Sequence, residues 1–248
     1  ERYGLDLEPI EPNNRYEKFM FRMDFFMNFW KYIKEHNSPI DFFSWHIYCK
    51  VPEKLIDRSN RVHELLVKHG YENAESILNE WNYVRGWKED FVYSVESING
   101  IKGAAFTMAC IGEAQKSTID MLMYYSTKSG AFCGVFDFHT YRPLKGYYPL
   151  YWYGKFYDMD HEVRCENQPE NIYTLAGVDK NGKALATVTY YTEEDDTAKD
   201  KVVAVDFGKE GEYEVYLVDA DHDGELISTT KDLTFTLKPC SFILIKEK

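Results

Sequence analysis

Between residues 16 and 36 the chain reads YEKFMFRMDFFMNFWKYIKEH, apolar around most of each turn and free of Gly and Pro. That run predicts a mostly buried helix with Asn13 or Asn14 at its start. The texture then changes. IDFFSWHIYCKV (40–51) is short, aromatic-rich and bracketed by Pro39 and Pro52, which predicts a strand. RSNRVHELLVKH (58–69) places Val62, Leu65 and Leu66 on one face and is followed by Gly70, a helix with a C-terminal cap. AESILNEW (74–81) predicts a second strand, residues 89–115 a helix rich in small side chains, and TIDMLMYYS (118–126) a third strand. Strands separated by helices pair in parallel through right-handed crossovers. The segment 130–159 runs from a loop into a last, aromatic helix.

Beyond about residue 158 the runs become short and alternating: 172–179, 183–191, 201–207, 211–221, 233–238 and 241–247. Turn residues separate them, including the Asn181-Gly182 pair favoured in tight hairpins. This pattern predicts an antiparallel β-sandwich. The expected organisation is α/β over residues 1–157 and all-β over 158–248. EEDDTAKD (193–200) reads as a solvated acidic loop.

Charge separates the same two parts. Residues 1–157 carry 20 acidic and 19 basic side chains, and residues 158–248 carry 21 and 10, giving −12 for the 248-residue chain. An acidic surface repels phosphate backbones, so nucleic acid is not an expected partner. No apolar run is long enough for a membrane span. The five cysteines, Cys49, Cys110, Cys133, Cys165 and Cys240, are widely spaced without a CxxC, and read as reduced, mostly buried thiols in a soluble protein, with a cytoplasmic setting favoured. The polar start, ERYGLDLEPIEPNN, has neither a Met nor the look of a signal peptide. Aromatics make up 17% of the chain, with 20 Tyr, enough to raise sugar stacking beside a Tyr-rich core as an explanation.

In a parallel α/β barrel the working side chains sit at the C-terminal ends of the strands. By strict alternation Ser44, His46 and Tyr48 share one face of the first strand, and Glu80 shares the face of Ser76 and Leu78 in the second. The third strand ends in Tyr124 and Tyr125. Each residue alone has a plainer explanation: Glu80 as a carboxylate beside a helix dipole, His46 as a satisfied core histidine, Tyr48 and Tyr124 as rim packing. Together they gather a carboxylate and its donors at one rim, where an unpaired buried charge would be costly.

DFFSWHIY followed about thirty residues later by ILNEWNY resembles the sixth and seventh strands of clan A glycoside hydrolases, and MLMYYSTKSGAFCGVFDFHTYRPLKGYYPLYWYGKF resembles the eighth strand, its loop and the closing helix. A terminal β-sandwich is similar to family 39 (β-xylosidase and α-iduronidase-like), with family 51 as second choice. The resemblance implies the C-terminal half of a (β/α)8 TIM barrel followed by an antiparallel β-sandwich. It also implies a retaining glycosidase acting on β-xylosides or related glycans, without a cofactor. Glu80 is then the nucleophile, His46 and Tyr48 its supports, and Tyr124 and Trp81 neighbours of the sugar, with a core role for Trp81 equally open. Asp137 and His139, in the loop after the third strand, are further candidates for substrate contact, with a structural role equally open. The clan's acid/base Glu follows an Asn. Here Glu11 follows Ile10, and only one helix separates it from the first strand, so the acid/base carboxylate is expected outside this chain. Half a barrel leaves strand edges open, which implies a missing partner half or self-association. The alternative is a non-catalytic sugar-binding or scaffold protein of the same fold.

Two other motifs carry less. DADHDGE (219–225) opens like a calcium loop, but Thr230 stands where a bidentate acid is needed, which favours a hairpin turn. Cys49 has no electropositive partner in sequence and reads as packing.

Overall fold

The computed structural model describes residues 14–130 and 132–248. Glu11 and Asn13 lie outside them. The chain opens with α1 (Asn14–Glu35), β1 (Phe42–Cys49), α2 (Pro52–His69), β2 (Glu75–Tyr83), α3 (Phe91–Asn99), α4 (Ile101–Ala114), β3 (Met121–Tyr124) and α5 (Tyr147–Lys155). β1, β2 and β3 form a parallel sheet in that order, and among the described residues no barrel closes.

α1 is not the buried helix its composition suggests. Only Trp30 and Ile33 of its described side chains are buried, while Phe25, Phe29 and Tyr32 are exposed. The helix has packing partners along one stripe: Trp30 lies against Phe43, His69 and Tyr71. α2 starts six residues before the amphipathic run, with Pro52 in its first turn, where a missing N–H costs nothing. It ends at Gly70 (φ 79°), whose N–H bonds the carbonyls of Leu66 and Val67. The single helix expected over 89–115 is two, broken at the extended residue Gly100. The break folds the chain back so tightly that a Cβ on Gly103 would stand 2.5 Å from the Ser97 carbonyl oxygen.

α4 is the centre of the molecule. Twelve of its residues are buried, and it packs against β2 on one side and against the second sheet on the other. A Cβ on Gly112 would lie 2.9 Å from the Thr174 carbonyl oxygen, so this helix needs small residues to approach the sheet.

The second region holds β4 (His161–Glu162), β5 (Ile172–Val178), β6 (Ala184–Tyr190), β7 (Lys201–Ala204), β8 (Tyr213–Val218), β9 (Asp223–Thr230), β10 (Thr234–Leu237) and β11 (Ser241–Glu247). Six strands pair antiparallel in the order β4-β5-β6-β11-β8-β9, and β7 and β10 make a separate antiparallel ribbon. Ribbon and sheet share an apolar cluster that includes Val203, Leu237, Val188, Val215 and Ile243. The other face of the sheet joins the cluster around α4, through Leu175, Leu185 and Leu244. One core therefore runs from the parallel sheet through α4 into the antiparallel one.

β9 was not legible as a strand. The calcium-like segment is the β8–β9 turn: Asp219 Oδ1 accepts the backbone N–H groups of Asp221 and His222 and faces His222 Nδ1 at 2.8 Å. Although burial opposes it, the His222 bond and the two backbone donors hold the Asp219 carboxyl below its ordinary value. Asp179 closes the β5–β6 hairpin in the same way, with Gly182 at φ 76°. All five cysteines are free, four of them buried, and burial pushes the Cys49 thiol up to about 11.

Candidate functional site

The parallel sheet has two unlike faces. On one, Trp45, Ile47 and Cys49 of β1 and Leu78, Trp81 and Tyr83 of β2 are buried under α2 and α4. The other face is open, and Phe42, Ser44 and His46 on β1 with Met121 and Met123 on β3 are exposed.

Glu80 reaches the open face through an irregularity. Trp45 pairs with Leu78, but His46 pairs with Glu80, so Asn79 is an extra residue in β2. Strict alternation would have put Glu80 on the face of Ser76 and Leu78, which is buried. The bulge at Asn79 moves the carboxylate to the other side, beside His46 and Tyr48. Bulges re-aim side chains in this way.

Tyr48 donates its hydroxyl to Glu80 Oε1 at 2.6 Å. His46 Nδ1 stands 3.8 Å from Glu80 Oε2, beyond hydrogen-bond length, with the two side chains 54% and 30% exposed. The carboxylate thus has one oxygen fixed by a neutral donor and the other turned toward solvent and an imidazole. Burial, with the bond to Glu80, pushes the Tyr48 phenol far above its ordinary value, so it remains a donor throughout the working pH range.

The other expected site residues fall elsewhere. Trp81 is 1% exposed, edge-on to Tyr124 and packed against Phe106, and presents no face to a ligand. Tyr124 pairs in register with Trp81 on the helix-covered side, and its hydroxyl donates to Asn82 Oδ1 at 3.4 Å. Burial raises the Tyr124 phenol to about 12. Asp137 caps its own loop, accepting the N–H groups of His139 and Thr140 and the Thr140 hydroxyl, which lower its carboxyl. His139 is exposed beside the Phe138 ring.

One residue at the open rim was missed. Trp87, 56% exposed in the turn after β2, lies edge-on to the Tyr48 ring at 5.0 Å. It also stacks on Phe91, which in turn stacks on Phe132. The signal was present in RGWKED: a lone Trp amid polar residues has no core to serve.

That turn is tied down from the antiparallel region. Arg85 Nε donates to Glu193 Oε1 at 2.6 Å, and its guanidinium lies over the Tyr93 ring. The Glu193 side chain is 8% exposed and also meets Lys102 Nζ at 3.4 Å and the Tyr83 hydroxyl at 3.0 Å. Lys102 further donates to Asp195 Oδ1 at 2.5 Å, and Tyr191 donates to the Lys50 carbonyl. The acidic stretch after β6 is therefore not wholly a solvated loop: two of its carboxylates complete a buried ion network against α4 and the end of β2.

No family model matches the chain, and no curated protein matches it. Its fold does match solved structures. A glucosidase from Croceicoccus marinus is 18% identical, over 90% of this chain and 56% of that one, with a TM-score of 0.68. A GH39 β-xylosidase from Caulobacter crescentus is 12% identical, over 89% and 54%, with a TM-score of 0.60. An α-L-arabinofuranosidase from Thermotoga maritima is 16% identical, over 88% and 55%, with a TM-score of 0.57. The fold is thus similar to part of each of these glycosidase structures, and the chain spans about half their length.

Proposed function

We propose that this chain carries the nucleophile half of a retaining glycosidase site, with Glu80 as the nucleophile. The observation that carries the reading is the bulge-directed carboxylate in the C-terminal half of β2 on the open face, oriented by the Tyr48 hydroxyl at 2.6 Å. Glu80 Oε2 attacks the anomeric carbon, the glycosidic C–O bond breaks, and the leaving oxygen takes a proton from a second carboxylate. Water then hydrolyses the glycosyl ester and gives its proton back to that second carboxylate. Tyr48 holds Oε1 so that the lone pairs of Oε2 face the sugar, and His46 faces the same oxygen. The acid/base carboxylate belongs to whatever completes the barrel over the open face. We take the antiparallel sheet and ribbon as the accompanying sandwich, and β-xylosides or related pentosides as the substrates.

The test is hydrolysis of an aryl β-xyloside whose leaving group needs little protonation, followed by NMR for the anomer first released. Release of the β-anomer by the wild type, and its loss in Glu80→Gln, supports the reading. Release of the α-anomer, or Glu80→Gln turnover near wild type, overturns it. A sugar-binding protein of the same fold is the second reading, favoured by the exposed Trp87 ring, and it expects binding without turnover.

A further inference from the structure

Two clefts adjoin at the C-terminal end of α5, and no residue of the parallel sheet lines either. The smaller, about 270 Å³, lies beside Leu175 and Ala176 of β5 and is bordered by Tyr153 and Tyr157. The larger, about 500 Å³, lies between α5 and the antiparallel sheet and reaches Leu185 and Leu244. Met159 borders both, so they meet at the turn that follows α5.

The run GYYPLYWYGKFYD (146–158) carries more rings than its short helix can bury. Trp152 is buried edge-on to Phe242, and Tyr147 and Tyr151 stack on each other. Tyr153 and Tyr157 do neither. They are 39% and 92% exposed, and among the described residues no ring packs on them. The Tyr157 hydroxyl has no hydrogen bond there, and that of Tyr153 meets only Gln115 Nε2, at 3.2 Å. A tyrosine held out in this way adds nothing to the core, yet offers a rigid, flat, apolar area with a polar tip.

In a chain of net charge −12 the larger cleft is locally balanced: Lys155, Lys183 and Lys246 line it with Asp158, Asp179 and Glu247. Three of these are already engaged. Asp179 closes its hairpin, Glu247 meets Lys209 Nζ at 2.6 Å, and Lys246 faces Glu214 at 3.5 Å. Lys183 and Asp158 make no ion pair among the described residues, and Lys155 reaches the Tyr151 hydroxyl at 3.3 Å. Donors and an acceptor with spare capacity therefore stand next to the idle rings.

We propose that the joined clefts hold a neutral oligosaccharide chain, bound without being cleaved. A sugar ring has a face of C–H groups that packs on a flat aromatic ring, and hydroxyls at its edge that both donate and accept. Tyr157 and Tyr153 meet the first need. Lys155, Lys183 and Asp158 meet the second. A cleft without net charge has no field to favour an anion. Its concave, polar-rimmed form suits a polyol chain rather than the apolar centre of a protein interface. The site goes beyond the reading of Glu80 and does not need it.

Titration calorimetry of the 248-residue chain with xylohexaose and with cellohexaose tests this, in the Glu80→Gln background so that no ligand is consumed. Tyr153 and Tyr157 are exposed, so Tyr153→Ala/Tyr157→Ala keeps the fold, which circular dichroism checks. The expected result is binding of at least one hexasaccharide, weakened about tenfold or more by the double substitution and little changed by raised salt. Binding of neither, binding that the double substitution leaves untouched, or binding lost at raised salt overturns the proposal. So does light scattering that shows, without sugar, a dimer which the double substitution returns to a monomer, because the rings then serve a protein contact. Labelling of Glu80 by a 2-fluoro-xyloside without tyrosine-dependent binding would leave the glycosidase reading standing and this inference fallen. Tyrosine-dependent binding without labelling would do the reverse.

Discussion

Two glutamates near the C-terminal end of β2 could hardly be treated more differently. Glu193, from the antiparallel region, is enclosed: Arg85, Lys102 and the Tyr83 hydroxyl all meet its two oxygens, and its side chain is 8% exposed. Among the described residues Glu80, from the parallel region, accepts one hydrogen bond, from a neutral phenol, and its other oxygen stands 3.8 Å from the His46 imidazole on a side chain 30% exposed. A charge surrounded by counter-charges stabilises a junction between elements, because removing either side strands a buried ion. A charge held by one neutral donor is oriented without being neutralised, as a nucleophile must be. What separates the carboxylate we propose as the nucleophile from the structural one is unspent capacity.

Substitutions can break that contrast. The largest effect is expected at Glu80. Glu80→Gln should lower turnover by at least about a thousandfold, the weight of a lost nucleophile, while its melting temperature stays near wild type. A comparable loss of stability would instead make Glu80 structural. Glu193→Gln should do the opposite. It leaves Arg85 and Lys102 without their shared counter-ion and should cost roughly 3 kcal/mol in urea unfolding, at the low end for a broken buried pair because Asp195 still meets Lys102. An effect under 1 kcal/mol would mean the network is slack.

Tyr48→Phe sharpens the comparison at Glu80 itself. Loss of one hydrogen bond to a charged group should lower turnover about tenfold to a hundredfold, roughly 1.5–3 kcal/mol. The sign with pH follows from the raised phenol: the bond is fully present below 10.0, the ordinary tyrosine value, and is lost only as pH climbs through the raised one. The penalty for Phe should therefore be flat from pH 5 to 9. A penalty that varies across that window would show Tyr48 titrating, against its bond to Glu80. The smallest effect is expected from Trp87→Ala. This exposed ring should cost within about 0.5 kcal/mol of stability, yet weaken saccharide binding several-fold. Unchanged binding would reduce Trp87 to a surface residue.

Much of this contrast could be read locally, and part could not. The order of helices and parallel strands followed from period changes and from Gly and Pro punctuation, and His46, Tyr48 and Glu80 come together in the C-terminal halves of β1 and β2. The face of Glu80 was misplaced because alternation presumes unbroken pairing, and the extra residue at Asn79 is set by pairing with β1 rather than by its own neighbours. Gly100 splits a continuous helical pattern because the chain must turn to bury α4 between two sheets. Glu193 looked solvated since its partners lie far back in the chain, with Arg85 108 positions away. Trp81 looked available because an aromatic beside a catalytic candidate invites that reading, but the inward half of the strand had claimed it.

The most direct measurement is intact-mass and peptide mass spectrometry after incubation with a 2-fluoro-xyloside bearing a very good leaving group. Such a reagent needs little protonation, so it can report on Glu80 without the acid/base carboxylate. A single-sugar adduct confined to residues 75–85, absent in Glu80→Gln, is the expected result. An adduct on any other carboxylate, or an unlabelled chain that still hydrolyses the activated xyloside with retention, would contradict the assignment of Glu80 as the nucleophile.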